Sequence, residues 1–156
     1  MEYPPLFSPG FYDVELASLE SVFVLPFEDK SRRKYLIDRF VLLLTEIVGF
    51  GIDFEVWIDG SFATTKPNPE DIDLLFLFDM GLLNGLTGEQ QTRLDRIFGS
   101  GRMETKIRYA CDVYVRPIDD RRGREYWSGF FGQDREGTKK GIARLILHAH
   151  GNDRSA

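Results

Sequence analysis

Apolar positions recur at helical spacing after Ser31 and predict the most regular helix of the chain. Its apolar face carries Leu36, Ile37, Phe40, Val41, Leu43, Leu44, Ile47 and Val48. Ser31 stands where an N-cap residue is expected, and Gly49 supplies a stop. The capping-box pair Thr87 and Gln90 predicts a further helix that ends near Phe98.

Shorter apolar runs predict the strands. Residues 54–58 form the first run, which leads into Gly60-Ser61. The run 71–78 is too short and too evenly apolar for a surface helix, so it predicts a buried central strand. Residues 107–115 and 142–147 predict two more strands. Because helices and strands alternate, we expect an α/β (α+β) fold with a mixed sheet flanked by helices.

The remaining segments set the expected domain limits. Residues 1–30 predict an irregular N-terminal segment with a short helix at about 13–23, since Pro4, Pro5, Pro9 and Gly10 disfavour regular structure. A single minimal domain is expected over 31–148. Its polar part, 118–140, predicts a long loop with at most one short helix. Residues 149–156 predict a flexible tail.

Composition narrows the class of protein. The 156 residues fit one domain, and 42% apolar with 29% charged residues is ordinary for a soluble globular chain. No apolar run is long enough for a transmembrane helix and no secretory signal is evident, so we expect a cytoplasmic protein with no membrane partner. The single cysteine, Cys111, excludes an internal disulfide and a cysteine-cluster metal site.

Charge is unevenly distributed. The net charge of −5 argues against a broad non-specific grip on nucleic acid. Residues 116–144 nevertheless hold 8 Lys/Arg against 5 Asp/Glu. This basic segment is expected either to face phosphates or an acidic partner, or to be a solvated loop, and charge patterning alone does not choose between them.

Three aspartates are candidate metal ligands. Asp71 and Asp73 are two apart at the start of a predicted strand, so both carboxylates project to one side. Their mutual repulsion is relieved by a divalent cation, and Mg²⁺ prefers such oxygen ligands. Asp112 lies in another apolar run and needs a partner. On a neighbouring strand it completes a site for two metals, the arrangement used for in-line phosphoryl displacement.

The turn before the acidic strand offers a phosphate site. Gly60 lets a phosphate approach the backbone closely, and Ser61 offers a hydroxyl and a backbone N–H. Lys66 either reaches a phosphate from the following loop or is a solvated loop lysine. Ser61 taken alone is an ordinary turn serine.

Gly60-Ser61, the nine residues that follow, Asp71-Ile72-Asp73 and the later Asp112 together resemble the DNA polymerase beta-like nucleotidyltransferase superfamily. The chain is also similar to a group of small prokaryotic proteins of unknown function assigned to that superfamily. This second likeness spans much of the chain and rests on the stretches 57–62, 66–67, 71–74 and 130–142.

The resemblance implies a role for each matching residue. Gly60 and Ser61 hold the triphosphate of a nucleoside triphosphate, and Asp71 and Asp73 bind catalytic Mg²⁺. Asp112 binds the metal nearest the acceptor hydroxyl and helps to deprotonate it. The implied activity is transfer of a nucleoside monophosphate to a protein, a tRNA or a small molecule. A toxin–antitoxin or phage-defence system with a cognate partner protein is the implied context.

Each candidate also has a structural interpretation. Asp71 and Asp73 are otherwise turn residues, and Asp112 otherwise pairs with Arg108 or Arg116. The aromatic residues Trp127, Phe130 and Phe131 either stack on a base or pack under the loop. Mn²⁺ suits the same oxygen ligands as Mg²⁺.

Two further classes of function stay open. The chain is small for an enzyme that positions an acceptor with a second domain, so it is alternatively a catalytically weak or inactive module that binds a partner protein or RNA. The basic segment 116–144 separately suggests nucleic-acid binding, which the net charge disfavours.

Overall fold

One five-stranded mixed sheet organises the part of the chain that the computed structural model describes, residues 3–133, 137 and 139–148. The strands are β1 Gly10–Asp13, β2 Phe54–Asp59, β3 Ile72–Phe78, β4 Cys111–Pro117 and β5 Gly141–Leu147. Their spatial order is β1-β5-β2-β3-β4. The central strand β2 is antiparallel to β3 and β5, whereas the outer pairs β1–β5 and β3–β4 are parallel. The mixed α/β architecture expected from the sequence is confirmed.

Six α-helices accompany the sheet in the described residues. They are α1 Leu19–Phe23, α2 Ser31–Val48, α3 Met80–Asn84, α4 Gly88–Phe98, α5 Arg102–Tyr109 and α6 Arg121–Phe131, with short 3₁₀ turns at Leu16–Ser18 and Ser61–Ala63. The capping box of α4 is formed as predicted, with Thr87 accepting from the Gln90 N–H and Gln90 returning to Thr87. Ser31 is the first residue of α2 rather than its cap, and the Asp29 side chain accepts from the Ser31 N–H.

The two faces of the sheet differ in what covers them. The first face carries the larger core, which contains the inward residues of α2 and the even-numbered residues of β2 and β3. The second face carries a smaller cluster made of Trp57, Leu75, Leu77, Ile142, Trp127 and Phe131, so α6 covers part of this face. Leu75 and Leu77 therefore continue the face that begins at Asp73, as the alternation of a strand requires.

Three predicted segments differ in the structure. Residues 10–13, expected to be irregular, form edge strand β1, because four residues beside β5 gain backbone pairing that composition does not reveal. Residues 107–109 end helix α5 instead of starting a strand, and Ala110, with φ of 56°, makes the break before β4. The polar segment 118–140 contains an eleven-residue helix, α6, whose apolar side packs on the second face. The predicted tail, 149–156, lies outside the described residues.

Candidate active site

Three aspartates lie side by side on the second face of the sheet. Asp59 pairs with Asp73 across β2 and β3, and Asp73 pairs with Asp112 across β3 and β4. Residues paired in register project to the same side of a sheet, so the three carboxylates form one row. The sequence predicted that Asp112 would reach Asp73, and the register confirms it. Asp59 was not singled out as a carboxylate, although its place at the end of a strand and before a Gly-Ser turn was a usable signal.

The Gly60 turn is fitted against Asp73. Gly60 has φ of 79°, a left-handed conformation that favours glycine. A Cβ at this position would lie 3.0 Å from Cγ of Asp73 and closer still to its Oδ2. Ser61 then begins the 3₁₀ turn, and its carbonyl accepts from the backbone N–H of Thr64. The predicted Gly-Ser turn is therefore in contact with the predicted metal ligand.

Two of the predicted metal ligands, Asp71 and Asp112, form ion pairs with basic residues of α5. Arg102 Nη2 lies 2.9 Å from Asp112 Oδ1, and Lys106 Nζ lies 3.6 Å from Asp71 Oδ2. The structural interpretation of Asp112 predicted an ion pair with Arg108 or Arg116, but its partner is Arg102. Arg108 is instead placed over the ring of Tyr109, and Arg116 over that of Trp127.

Asp59 forms a buried ion pair with Lys140. The carboxylate Oδ1 and the ammonium Nζ are 2.9 Å apart, and both side chains are only 8% exposed. Burial raises the pKa of Asp59 to about 7, although Lys140 opposes that shift. At 2.9 Å the ammonium is within hydrogen-bond distance of the carboxylate, and both the charge and the hydrogen bond of Lys140 oppose the rise in the pKa of Asp59. Lys140 belongs to the basic segment 116–144, whose role the sequence left open, and the structure places it beside the aspartate row.

Asp73 is the most perturbed of the predicted ligands. Burial raises its pKa to about 6, and the charges of Asp71 and Asp112 act in the same direction. Lys106 and Lys140 oppose the shift without cancelling it. A carboxylate held among other carboxylates at a partly buried position is the chemical setting in which a divalent cation is most stabilising.

The three predicted ligands are of the chemical type that Mg²⁺ prefers, but they are not close enough together to form a complete metal site. Carboxylate oxygens are what Mg²⁺ and Mn²⁺ prefer, and Asp73 lies within electrostatic reach of both other predicted ligands. Among the described residues, however, no three histidine, cysteine, aspartate or glutamate side chains are grouped closely enough to hold a metal ion. Two of the three predicted ligands, Asp112 and Asp71, are instead paired with Arg102 and Lys106 of α5.

A buried arginine fixes the loop between the turn and the acidic strand. Arg33 of α2 is fully buried and donates to the carbonyls of Phe23, Phe62, Thr64 and Lys66 at 2.7–3.1 Å. Its guanidinium also lies 3.7 Å from the ring centre of Phe27. Burial lowers the pKa of Arg33 to about 10, so it stays charged at neutral pH. Sequence reasoning missed Arg33, since a basic residue on a helix ordinarily indicates a solvated face.

The loop residue Lys66 is held by its backbone. Its carbonyl accepts from Arg33, and its N–H donates to Thr64 Oγ1 at 3.1 Å. The side chain is half-buried, and its predicted contact with a phosphate stays a prediction.

The cysteine, the histidines and the aromatic residues of α6 have simpler surroundings. Cys111 is buried on the opposite face from Asp112, and burial raises the pKa of its thiol. His148 Nδ1 lies 3.4 Å from Asp53 Oδ2 at the surface, and His150 falls outside the described residues. Trp127 and Phe131 are buried between α6 and the second face of the sheet, whereas Phe130 is exposed.

Comparison with known proteins adds one identification. The model of a family of unknown function, DUF6932, matches residues 2–146, nearly the whole chain. No curated protein and no solved structure matches the chain. None of the helices in the described residues combines the length and apolar character needed to span a membrane.

Proposed function

The chain belongs to this family of unknown function, and we propose that it is a Mg²⁺-dependent nucleotidyltransferase. The observation that carries the proposal is the meeting of Asp73 with Asp112 and with the Gly60 turn, although these residues are far apart in sequence. Folding alone gives no reason to place a row of carboxylates on a partly buried face, because each added charge raises the cost of ionising the next.

Asp71, Asp73 and Asp112 are the residues that would hold the metal. A bound Mg²⁺ or Mn²⁺ supplies charge stabilisation for a transferring phosphoryl group. To bind the metal, Asp71 and Asp112 must break their ion pairs with Lys106 and Arg102, which lie 3.6 and 2.9 Å away. Both cations are on α5, and the side chains of Arg102 and Lys106 are 41% and 43% exposed, so they are accessible to solvent when the carboxylates bind a metal.

The chain's own groups account for the remaining requirements of transfer. The backbone N–H and hydroxyl of Ser61 bind the triphosphate, with Lys66 as a second phosphate contact. Asp112 accepts the proton of the acceptor hydroxyl. The acceptor oxygen then bonds to the α-phosphorus, the bond from that phosphorus to the α–β bridging oxygen breaks, and pyrophosphate leaves. The buried ion pair between Asp59 and Lys140 holds the Asp59 end of the aspartate row in place.

The test is label transfer from α-³²P nucleoside triphosphates with Mg²⁺, using cell lysate, total tRNA and the protein itself as acceptors. We expect transfer by the wild-type chain and its loss in Asp71→Asn/Asp73→Asn. Glu89→Gln, which removes an exposed carboxylate of α4, is the matched control and retains activity. A wild-type protein that neither binds a nucleotide nor transfers label would rule the proposal out.

A second candidate is a module that binds a partner protein or RNA without catalysis. The favouring observation is that Asp59, Asp71 and Asp112 are already paired with the chain's own cations. In that case Asp73→Asn leaves partner binding intact. In the enzyme it abolishes function, so this one substitution separates the two candidates.

A further inference from the structure

An exposed aromatic stripe runs along the outer side of α6. Arg122, Tyr126 and Phe130 recur every four residues, so they share one side of the helix. Tyr126 is 66% exposed and Phe130 57% exposed, although both are large rings on a short helix. Their ring planes are parallel within 5°, with centres 6.4 Å apart. Together with Arg116 of β4, these residues are called the stacking stripe below.

Continuous ring contacts join the stacking stripe to the carboxylates. The guanidinium of Arg102, which holds Asp112, lies 4.2 Å from the ring centre of Tyr114. Tyr114 is 5.1 Å from Trp127, and Trp127 is 5.4 Å from Phe130. The guanidinium of Arg116 also contacts these rings, 5.3 Å from the Trp127 ring centre. Phe130 is thus connected to Asp112 through Trp127, Tyr114 and Arg102, and a strand that extends along this chain of contacts leads to the aspartate row.

The stacking stripe carries positive charge. It contains two arginines, Arg116 and Arg122, and no acidic residue. The other flank of α6 lines a cavity of about 390 Å³ with charges of both signs, because Asp119 and Glu125 lie there together with Arg121 and Arg124. Asp120 caps α6 by accepting from the Gly123 N–H. The stripe is thus locally positive on a chain whose net charge is −5.

We propose that the stacking stripe binds an unpaired RNA strand and presents its terminal hydroxyl to the carboxylates as the acceptor, an inference that rests on the proposed transferase activity. Exposed rings stack on unpaired bases without regard to sequence, and arginines beside them contact phosphates. A duplex hides its base faces and cannot use the rings. Because the rest of the chain is acidic, the strand is held at the stripe alone.

The first experiment is binding of a fluorescein-labelled oligouridylate by anisotropy, without nucleotide or metal. Phe130→Ala is expected to weaken binding about five- to a hundredfold, the effect of losing one stacked base. With two phosphate contacts, log K should fall with log salt at a slope of about −1.4, and Arg122→Gln should reduce that slope to about −0.7. Met103→Ala removes a side chain that is 67% exposed on α5 and leaves binding unchanged.

The second experiment separates this inference from the transferase itself. Labelled nucleotide transfer to the oligouridylate should show a raised KM for RNA in Phe130→Ala, with nucleotide binding unchanged. Absence of RNA binding at low salt, equal losses in Phe130→Ala and Met103→Ala, or equal binding of duplex RNA would each overturn the inference. So would a stripe-dependent complex with a protein and none with RNA. Failure of the wild type to bind nucleotide, with RNA binding intact, counts against the transferase alone.

Discussion

At the scale of single residues, Asp73 meets opposing demands. Its carboxylate is half-buried between Asp59 and Asp112, and the fold gains nothing from its charge. Burial and its acidic neighbours hold its pKa at about 6 rather than the ordinary 3.8. A residue that costs stability and is nevertheless placed at the centre of a built arrangement is typical of a functional site.

This cost predicts how stability depends on pH. A carboxyl whose pKa is raised on folding binds more protons in the folded state between pH 3.8 and about 6, so its contribution is lost as pH rises through that interval. Asp73→Asn removes the penalty, and we expect the metal-free variant to gain about 1–3 kcal/mol at pH 7. Urea unfolding at pH 5, 6 and 7 measures this. A variant that loses stability at pH 7 would contradict the prediction.

Asp59 should respond in the opposite direction although its pKa is also raised. Asp59→Asn leaves Lys140, which is 8% exposed, without its counter-charge. Removing one partner of a buried pair costs about 3–5 kcal/mol. The same unfolding measurement therefore separates the two neighbours: Asp73→Asn stabilises and Asp59→Asn destabilises. Equal effects would mean that Lys140 finds solvent or another carboxylate in the variant.

Gly60 tests whether the turn serves the carboxylate. Gly60→Ala adds a Cβ that collides with Asp73 at a residue whose φ is 79°. We expect loss of label transfer and a fall of about 1–3 kcal/mol in unfolding free energy. Gly88→Ala is the control, because its Cβ would meet open space at the start of α4. Full activity in Gly60→Ala would show that the turn is not part of the site.

At the scale of elements, arginine side chains of helix α2 hold the loop between β2 and β3. Arg33 on α2 bonds four of the chain's carbonyls, three of them in residues 62–66, and Arg32 bonds those of Pro69 and Glu70. This loop connects the Gly60 turn to Asp71. Its conformation therefore depends on a helix that contributes nothing directly to the carboxylate row.

Substitution of Arg33 measures that dependence. Arg33→Met fills the space but leaves three buried carbonyls and the half-buried carbonyl of Lys66 without this donor, so we expect a loss of about 3–5 kcal/mol and faster proteolysis within residues 62–70. Arg39→Met, which removes a partly exposed arginine of the same helix that lies over Tyr35, is expected to change stability by less than about 0.5 kcal/mol. Similar losses in both variants would show that Arg33 does not specifically hold the loop.

Elements differ in how far the sequence could predict them. Strand β3 was predictable because its continuous apolar run indicates burial on both faces. Helix α2 was predictable because its apolar residues recur at helical spacing, which indicates burial on one face. Strand β1 was not, since an edge strand of four residues depends on its partner β5. Helix α5 ends in residues 107–109, of which only Tyr109 is buried, so the apolar run that predicted a strand was not a buried run. The two-residue spacing of Asp71 and Asp73 predicted that they share one side of the strand, and the pairing of β4 with β3 places Asp112 beside Asp73. Arg102, Lys106 and Arg33 were unpredictable, because their partners are set by tertiary structure.

At the scale of the whole molecule, the candidate site depends on how α5 is placed against the sheet. The parallel pairing of β4 with β3 brings Asp112 to Asp73, and the helix that precedes β4 brings two competing cations with it. The fold thus pairs Asp71 and Asp112 with its own cations, whereas Asp73 between them has no ion pair in the described residues. Any metal must displace those cations, so its affinity reports the strength of these internal pairs.

Release of one cation should therefore strengthen metal binding. Mg²⁺ is expected to raise the melting temperature of the wild-type chain, because a ligand bound only by the folded state stabilises it. Arg102→Gln frees Asp112 and should increase that Mg²⁺-dependent shift, whereas Asp71→Asn/Asp73→Asn should abolish it. Arg96→Gln, an exposed arginine of α4, controls for the loss of one positive charge and leaves the shift unchanged. If Mg²⁺ stabilises neither the wild type nor Arg102→Gln, the carboxylate row is not a metal site, and the partner-binding module becomes the better account of this chain.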